Sequence, residues 1–164
     1  MYKRLLTINK GFTQAPKLGA GFTLIELLVV IGILAVLLAI TLIAINPARQ
    51  FSQANDTQRS SDVNAILNAV GQYAVDNKGN LSGLGTISTD PLAPTAISTA
   101  GTGATFCNAL VTQYIAALPV DPQTGAWTDC ATYDTSYTIV QSATDSRITV
   151  GATGEITPVI SVTR

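Results

Sequence analysis

The stretch GAGFTLIELLVVIGILAVLLAI, residues 19–40, carries a single charged side chain, Glu26, four places after Phe22 at the front of a long apolar run. From Leu27 to Ala48 no charged residue occurs. A helix of that length reaches about 33 Å, against a hydrocarbon core of about 30 Å, so the run is a membrane-spanning candidate rather than a core helix. Lys3, Arg4, Lys10 and Lys17 precede it with no acid among them. The positive-inside rule therefore keeps this front segment cytoplasmic and places the C-terminal part outside the cytoplasm. An ordinary secretory signal peptide fits poorly, because the apolar run is too long and no clear small-x-small site follows before Asn46-Pro47. An uncleaved signal anchor fits better, yet explains neither Glu26 nor the Gly21-Phe22 junction.

The chain of 164 residues has room for one modest head beyond this run. Charge is distributed unevenly along it. Without residues 1–21, five basic residues (Arg49, Arg59, Lys78, Arg147, Arg164) face all ten acids, a net charge of −5. Such a protein is not suited to nucleic acid or to an anionic membrane surface.

Gly21-Phe22-Thr23-Leu24-Ile25-Glu26, behind a short basic segment and ahead of Leu27, Leu28, Val29, Val30, Ile31, Gly32 and Ile33, resembles the class III signal of type IV pilins and type II secretion pseudopilins. The resemblance implies that a prepilin peptidase cuts between Gly21 and Phe22 on the cytoplasmic side and that the new amino group of Phe22 is methylated. Glycine before the cut lets the backbone lie extended in a protease cleft without a side chain to exclude. The resemblance also gives Glu26 a partner. A carboxylate alone in the apolar region costs about 2 to 4 kcal/mol and becomes tolerable beside a cation. In the assembled filament of such proteins the carboxylate of one subunit meets the terminal amine of another, which assigns Glu26 and Phe22 to a register-setting pair. The plainer alternative is a helix-start Glu that favours the positive end of the helix dipole and needs no partner. Partners implied by the family are further copies of the chain in a helical filament, the peptidase and methyltransferase, an inner-membrane assembly platform, minor pilins and the bilayer before assembly. The expected location is the inner membrane with the head outside the cytoplasm, then an extracellular or periplasmic filament.

The fold class expected is α+β: a long N-terminal helix, apolar in its first half, packed by its second half on a small antiparallel sheet. The division is a leader (1–21), a spanning and filament-core half-helix (22–48) and a head (49–164). Asn46-Pro47 marks either a kink or a fresh helix start, since Asn caps and Pro suits the first turn; unbroken, the helix would run about 50 residues, roughly 75 Å. Arg49, Gln50, Gln53, Asn55, Asp56, Gln58 and Arg59 read as a solvated face. Val63, Ile66, Leu67, Val70, Tyr73 and Ala74 recur at helical spacing as a core stripe, and Asn77-Lys78-Gly79-Asn80 supplies the stop. Residues 79–105, rich in Gly, Ser, Thr, Ala and Pro, read as a variable surface loop, either uneventful or a carrier of specificity or sugar.

Phe106–Leu118 reads as a short helix ended by Leu118-Pro119-Val120-Asp121-Pro122 and a turn at Gly125; that segment resembles the lead-in to the sheet of major pseudopilins. Strands are expected at Ser136–Gln141, Arg147–Gly151 and Glu155–Val162, the last interrupted by Pro158 and so placed at an edge. Cys107 and Cys130, the only cysteines, both fall in the exported head and are expected to pair, closing a loop worth roughly 3 kcal/mol. No metal site and no cofactor are expected, and the chain has no histidine for a Ser-His or Cys-His arrangement. Asp121, Asp129, Asp134 and Asp145 read as solvated turn residues, with calcium ligation or an acid/base pair as alternatives. The function these readings support is a structural filament subunit rather than an enzyme. A pseudopilin of a secretion system and a membrane-anchored binding module are the alternatives.

Overall fold

The computed structural model describes residues 21–164; the leader expected at 1–21 lies outside them except for Gly21. The chain divides between Ala44 and Ile45 into two units. The first contains all but the last residue of helix α1, Leu24–Ile45, none of whose residues is buried. After Glu26 in the first turn, Leu, Ile and Val follow one another with only Gly32, Ala and Thr41 between them, and Thr41 returns its hydroxyl to the Leu38 carbonyl at 2.9 Å. The run therefore presents no unsatisfied polar group to an apolar surrounding, which is what helical backbone in lipid requires.

Helix α2, Pro47–Asp76, opens the second unit. An unbroken helix is overturned at Asn46, which is left-handed (φ 45°, ψ 79°) and accepts the Arg49 N–H on its side chain at 3.4 Å. Pro47 has no N–H to continue the ladder and disfavours helical geometry in the residue before it, while Asn tolerates the left-handed region. Proline at the first helical position then starts the new helix. At the other end the stop falls where expected: Asn77 N–H returns to Tyr73 and Gly79 N–H to Ala74 (3.0 and 2.7 Å), with Lys78 and Gly79 at positive φ.

The head's sheet is antiparallel throughout, with strands β1 (Thr95–Ser98), β2 (Ala126–Asp129), β3 (Thr132–Gln141), β4 (Ile148–Thr153) and β5 (Val159–Thr163). Its order is β1-β3-β4-β5, and β2 pairs with the start of β3. β3 turns Tyr133, Thr135, Tyr137 and Ile139 inward, where Val150 of β4 and the α2 stripe Val63, Ile66, Leu67 and Val70 meet them. α2 lies against β4 and β5. The β3–β4–β5 meander falls where strands are expected, but β3 begins at Thr132 and β5 only at Val159, because Glu155–Thr157 turn to give their amides to Asp56; β5 stands at the edge, just after Pro158.

Three expectations change. Residues 79–105 are not only a loop: they hold a short 3₁₀ turn (Ser82–Leu84) and β1, and they bury Leu84, Ile97, Ser98 and Thr102. β1 carries a single large apolar residue, so its strand state is imposed by pairing with β3, including a bond from the Thr135 hydroxyl to the Ile97 carbonyl at 2.7 Å. The next helix, α3, is Gly103–Leu110 and not Phe106–Leu118, because Val111 is extended and Thr112 sits at φ 72°. Finally, Asp56 and Arg59 are buried, 8% and 3% exposed, rather than part of a solvated face.

Candidate functional site

At the front of α1, Gly21 and Phe22 are exposed and non-helical, and Phe22 is 90% exposed. Thr23 and Glu26 close a reciprocal capping box. The Glu26 carboxylate accepts from the Thr23 N–H at 3.0 Å and from its hydroxyl at 2.8 Å, while the Glu26 N–H donates to the Thr23 oxygen at 3.2 Å. In the single uncut chain Glu26 is thus satisfied locally at the helix start, as its plainer reading describes. Thr23 is the residue the sequence reading passed over, although Thr-x-x-Glu ahead of an apolar run is a readable signature. The Phe22 amine on which the charge pair depends is here part of the peptide bond from Gly21.

The head contains a second constellation, centred on Arg59 of α2. Its guanidinium grips Asp121 with Nε and Nη2 (2.5 and 3.3 Å), and Nη1 reaches Asp56 at 2.9 Å and Glu155 at 3.1 Å. Asp56 in turn fills a nest of three consecutive amides, accepting from Glu155, Ile156 and Thr157 at 2.8, 2.9 and 2.9 Å. Gly154 is required there, because a Cβ would run into the Thr157 carbonyl and the Asp56 carboxylate. Asp121 also accepts from the amides of Gln123 and Thr124 at 2.9 and 3.0 Å. Asp62, one turn further along α2, is held by Gln58 and by the buried hydroxyl of Tyr137, each at 2.8 Å. Among the described residues every buried side-chain nitrogen and oxygen has a partner.

These contacts set the protonation states. The amides of Thr157 and Glu155 hold the Asp56 carboxyl far below the usual range, despite its desolvation. Burial pushes Asp121 up, but Arg59 and the Gln123 and Thr124 amides outweigh it and bring the carboxyl to about 2. Hydrogen bonding to Asp121 raises the Arg59 guanidinium further. Asp62 moves the other way, raised mainly by burial, with the Asp121 charge adding to it and the Tyr137 and Gln58 hydrogen bonds opposing it. The cluster moors the β4–β5 turn and the Pro119–Gly125 loop to one side of α2.

The four head acids therefore separate. Asp129 accepts amides of the β2–β3 turn; Asp134 lies within β3 rather than in a turn, paired with β1 and β2, and accepts the Ser136 amide; Asp145 pairs with the exposed Arg147 at 3.2 Å. Asp121 does not fit the solvated-turn reading: it is 5% exposed and committed to Arg59. Among the described residues no group of three or more acids or cysteines is placed to hold a metal ion. Sequence reasoning missed the Arg59 cluster because its members come from three distant segments. The cues in the sequence are Asp56 and Arg59 at i,i+3 and the tight Pro119–Gly125 turn. Cys107 on α3 and Cys130 in the β2–β3 turn form the expected disulfide, with Cα atoms 5.2 Å apart, and it ties α3 to the sheet.

A long N-terminal helix that is apolar beyond Glu26 except for Thr41, followed by a helix packed on a small antiparallel sheet, defines a pilin-like α+β protein. Residues 17–42 match the family described as the prokaryotic N-terminal methylation motif, consistent with the class III signal of a type IV pilin or pseudopilin precursor. Neither the curated proteins nor the solved structures contain a match to the chain.

Proposed function

We propose that this chain is a structural subunit, not an enzyme, that is cut between Gly21 and Phe22, methylated on the Phe22 amine and polymerised into a type IV pilus or a related filament. The observation that carries this reading is the methylation motif over residues 17–42, coincident with a 22-residue helix that buries none of its own side chains. Beyond Glu26 the helix is apolar on all faces, and such a helix needs lipid or other copies of itself around it. It serves first as a membrane anchor and later as the filament core, and the head remains outside the cytoplasm. Cleavage creates the Phe22 cation. Glu26 then exchanges its local bonds to Thr23 for the amine of a neighbouring subunit, and the charge pair in a low-dielectric core sets axial register. Mass spectrometry of the mature N-terminus tests the reading, with N-methylated Phe22 expected. Recovery of Met1, or of a cut beyond residue 45, overturns it. Recovering the chain in filaments sheared from the cell surface distinguishes a pilus from a secretion pseudopilus.

A further inference from the structure

An open groove of about 590 Å³ lies in the head between α2 and the turn after α3. Asn68, Gln72 and Asp76 line one wall at successive turns of α2, Gln113 and Tyr114 form the opposite wall, and Arg164 closes one end. Two bonds brace it: Arg164 donates to the Asn68 side-chain oxygen, and the Tyr114 hydroxyl donates to Asp76 at 3.0 Å. The Tyr114 ring is held edge-on to Tyr73, with centroids 5.8 Å apart. Gln72 and Gln113 remain exposed, so the groove keeps two planar amides available between a guanidinium and a carboxylate.

A backbone outlier immediately precedes the wall formed by Gln113 and Tyr114. Thr112, a β-branched residue, is held at φ 72°, a conformation that glycine adopts freely and threonine rarely does. The strain is locked in place from below. Thr112 N–H bonds the Ile115 carbonyl at 2.8 Å, and the amides of Tyr114 and Ile115 both return to Leu110 at 2.9 and 3.1 Å. Leu110 is fully buried on α3, one turn from the disulfide at Cys107. Selection for stability alone would favour glycine at position 112, whereas a strained residue over-determined by its surroundings is a mark of a functional loop. What this loop fixes is the placement of Gln113 and Tyr114.

We propose that this groove binds a saccharide, with Gln72 and Gln113 as the amides that recognise ring hydroxyls and Tyr114 as the surface against which a sugar ring lies. Amides that both donate and accept, flanked by a carboxylate, a guanidinium and an aromatic ring, match a ligand that carries hydroxyls on its rim and C–H groups on its face. The mixed charge of Asp76 and Arg164 does not suit a polyanion, and the exposed Val75 adds apolar surface for the C–H face of a ring. The assignment does not depend on filament assembly. The test is to apply the full-length chain in detergent micelles to an array of immobilised neutral and uronate-containing oligosaccharides, then to titrate a retained oligosaccharide by calorimetry. Retention of at least one class is expected, with Gln72→Ala and Gln113→Ala each weakening binding about tenfold, the loss of one hydrogen bond to a ligand. Both side chains are exposed, so circular dichroism of these variants should be unchanged. Thr112→Gly should raise the thermal midpoint while weakening binding. No retained oligosaccharide, undiminished binding by the Gln72→Ala, Gln113→Ala double variant, or a stabilised Thr112→Gly with full affinity overturns the proposal.

Discussion

α1 and α2 are consecutive helices in one chain, and they expose and bury opposite things. α1 leaves Leu, Ile and Val open on every side and buries nothing. α2 buries eight residues, among them the charged Asp56, Arg59 and Asp62. The contrast separates two ways in which a helix is stabilised. The first is suited to a medium that accepts apolar surface from all directions, so composition alone specifies it. The second is stabilised by particular neighbours: its apolar stripe meets the sheet, and its charged residues meet Asp121, Glu155, Tyr137 and the amides of the β4–β5 turn.

The largest effect expected is on the first helix and concerns assembly rather than stability. Glu26→Val should still be processed and methylated but should be lost from filaments altogether, as measured by shearing and immunoblot against total membrane protein. Normal incorporation would return Glu26 to the role of a simple helix cap. In the second helix, Arg59→Ala strands the buried carboxylates of Asp121 and Asp56 and should destabilise the head by about 3–5 kcal/mol. Denaturant melts of the detergent-solubilised chain, followed by near-ultraviolet circular dichroism, would register this while the helical signal of α1 persists. A melt equal to the wild type would mean that water reaches and solvates those carboxylates.

A matched pair of truncations sharpens the comparison further. Leu67→Ala opens a cavity against the sheet and should cost the head about 2–5 kcal/mol. Leu34→Ala removes as many atoms from α1 yet should leave the head melt unchanged, so equal losses would contradict the division between the two helices. The smallest effect expected is that of pH, and it has two signs. Asp121, depressed to about 2, contributes stability above the unfolded carboxylate value of about 4, and that contribution disappears as pH falls from there toward 2. Asp56 and Glu155, also lowered, act in the same direction. Asp62, raised by burial, works against folding when ionised, so the head should gain slightly as pH falls from neutral through its titration. A shallow maximum in weakly acidic solution followed by a steep loss is expected, and Asp62→Asn should abolish the rise without altering the loss.

Much of the fold was legible because its signals are local. The core stripe of α2, the Asn77–Asn80 stop and the edge position after Pro158 each depend on residues adjacent in sequence. The helix break at Asn46 was half legible: the residue types permitted either a kink or a new cap, and the left-handed φ of Asn46 decided it. β1 was not legible, because Thr95–Ser98 has no alternation of its own and becomes a strand only by pairing with β3. α3 was read too long because Val111, Tyr114 and Ile115 keep a helical spacing, yet Thr112 reverses the chain between them.

By itself, the sequence determined the front of the molecule: the methylation motif, the carboxylate at Glu26 and an apolar helix long enough to cross a bilayer. Those properties are contiguous in the chain, and none of them requires the head to be folded. Only the tertiary structure decided the fate of Asp56, Arg59 and Asp121. In the sequence they look like any polar residues on a helix face or in a turn. Whether such groups face water or one another depends on segments about sixty and a hundred residues away, Asp121 to Arg59 and the Glu155–Thr157 turn to Asp56. Burial of a charge is set by long-range packing and by the partners that packing brings, and no local pattern encodes it.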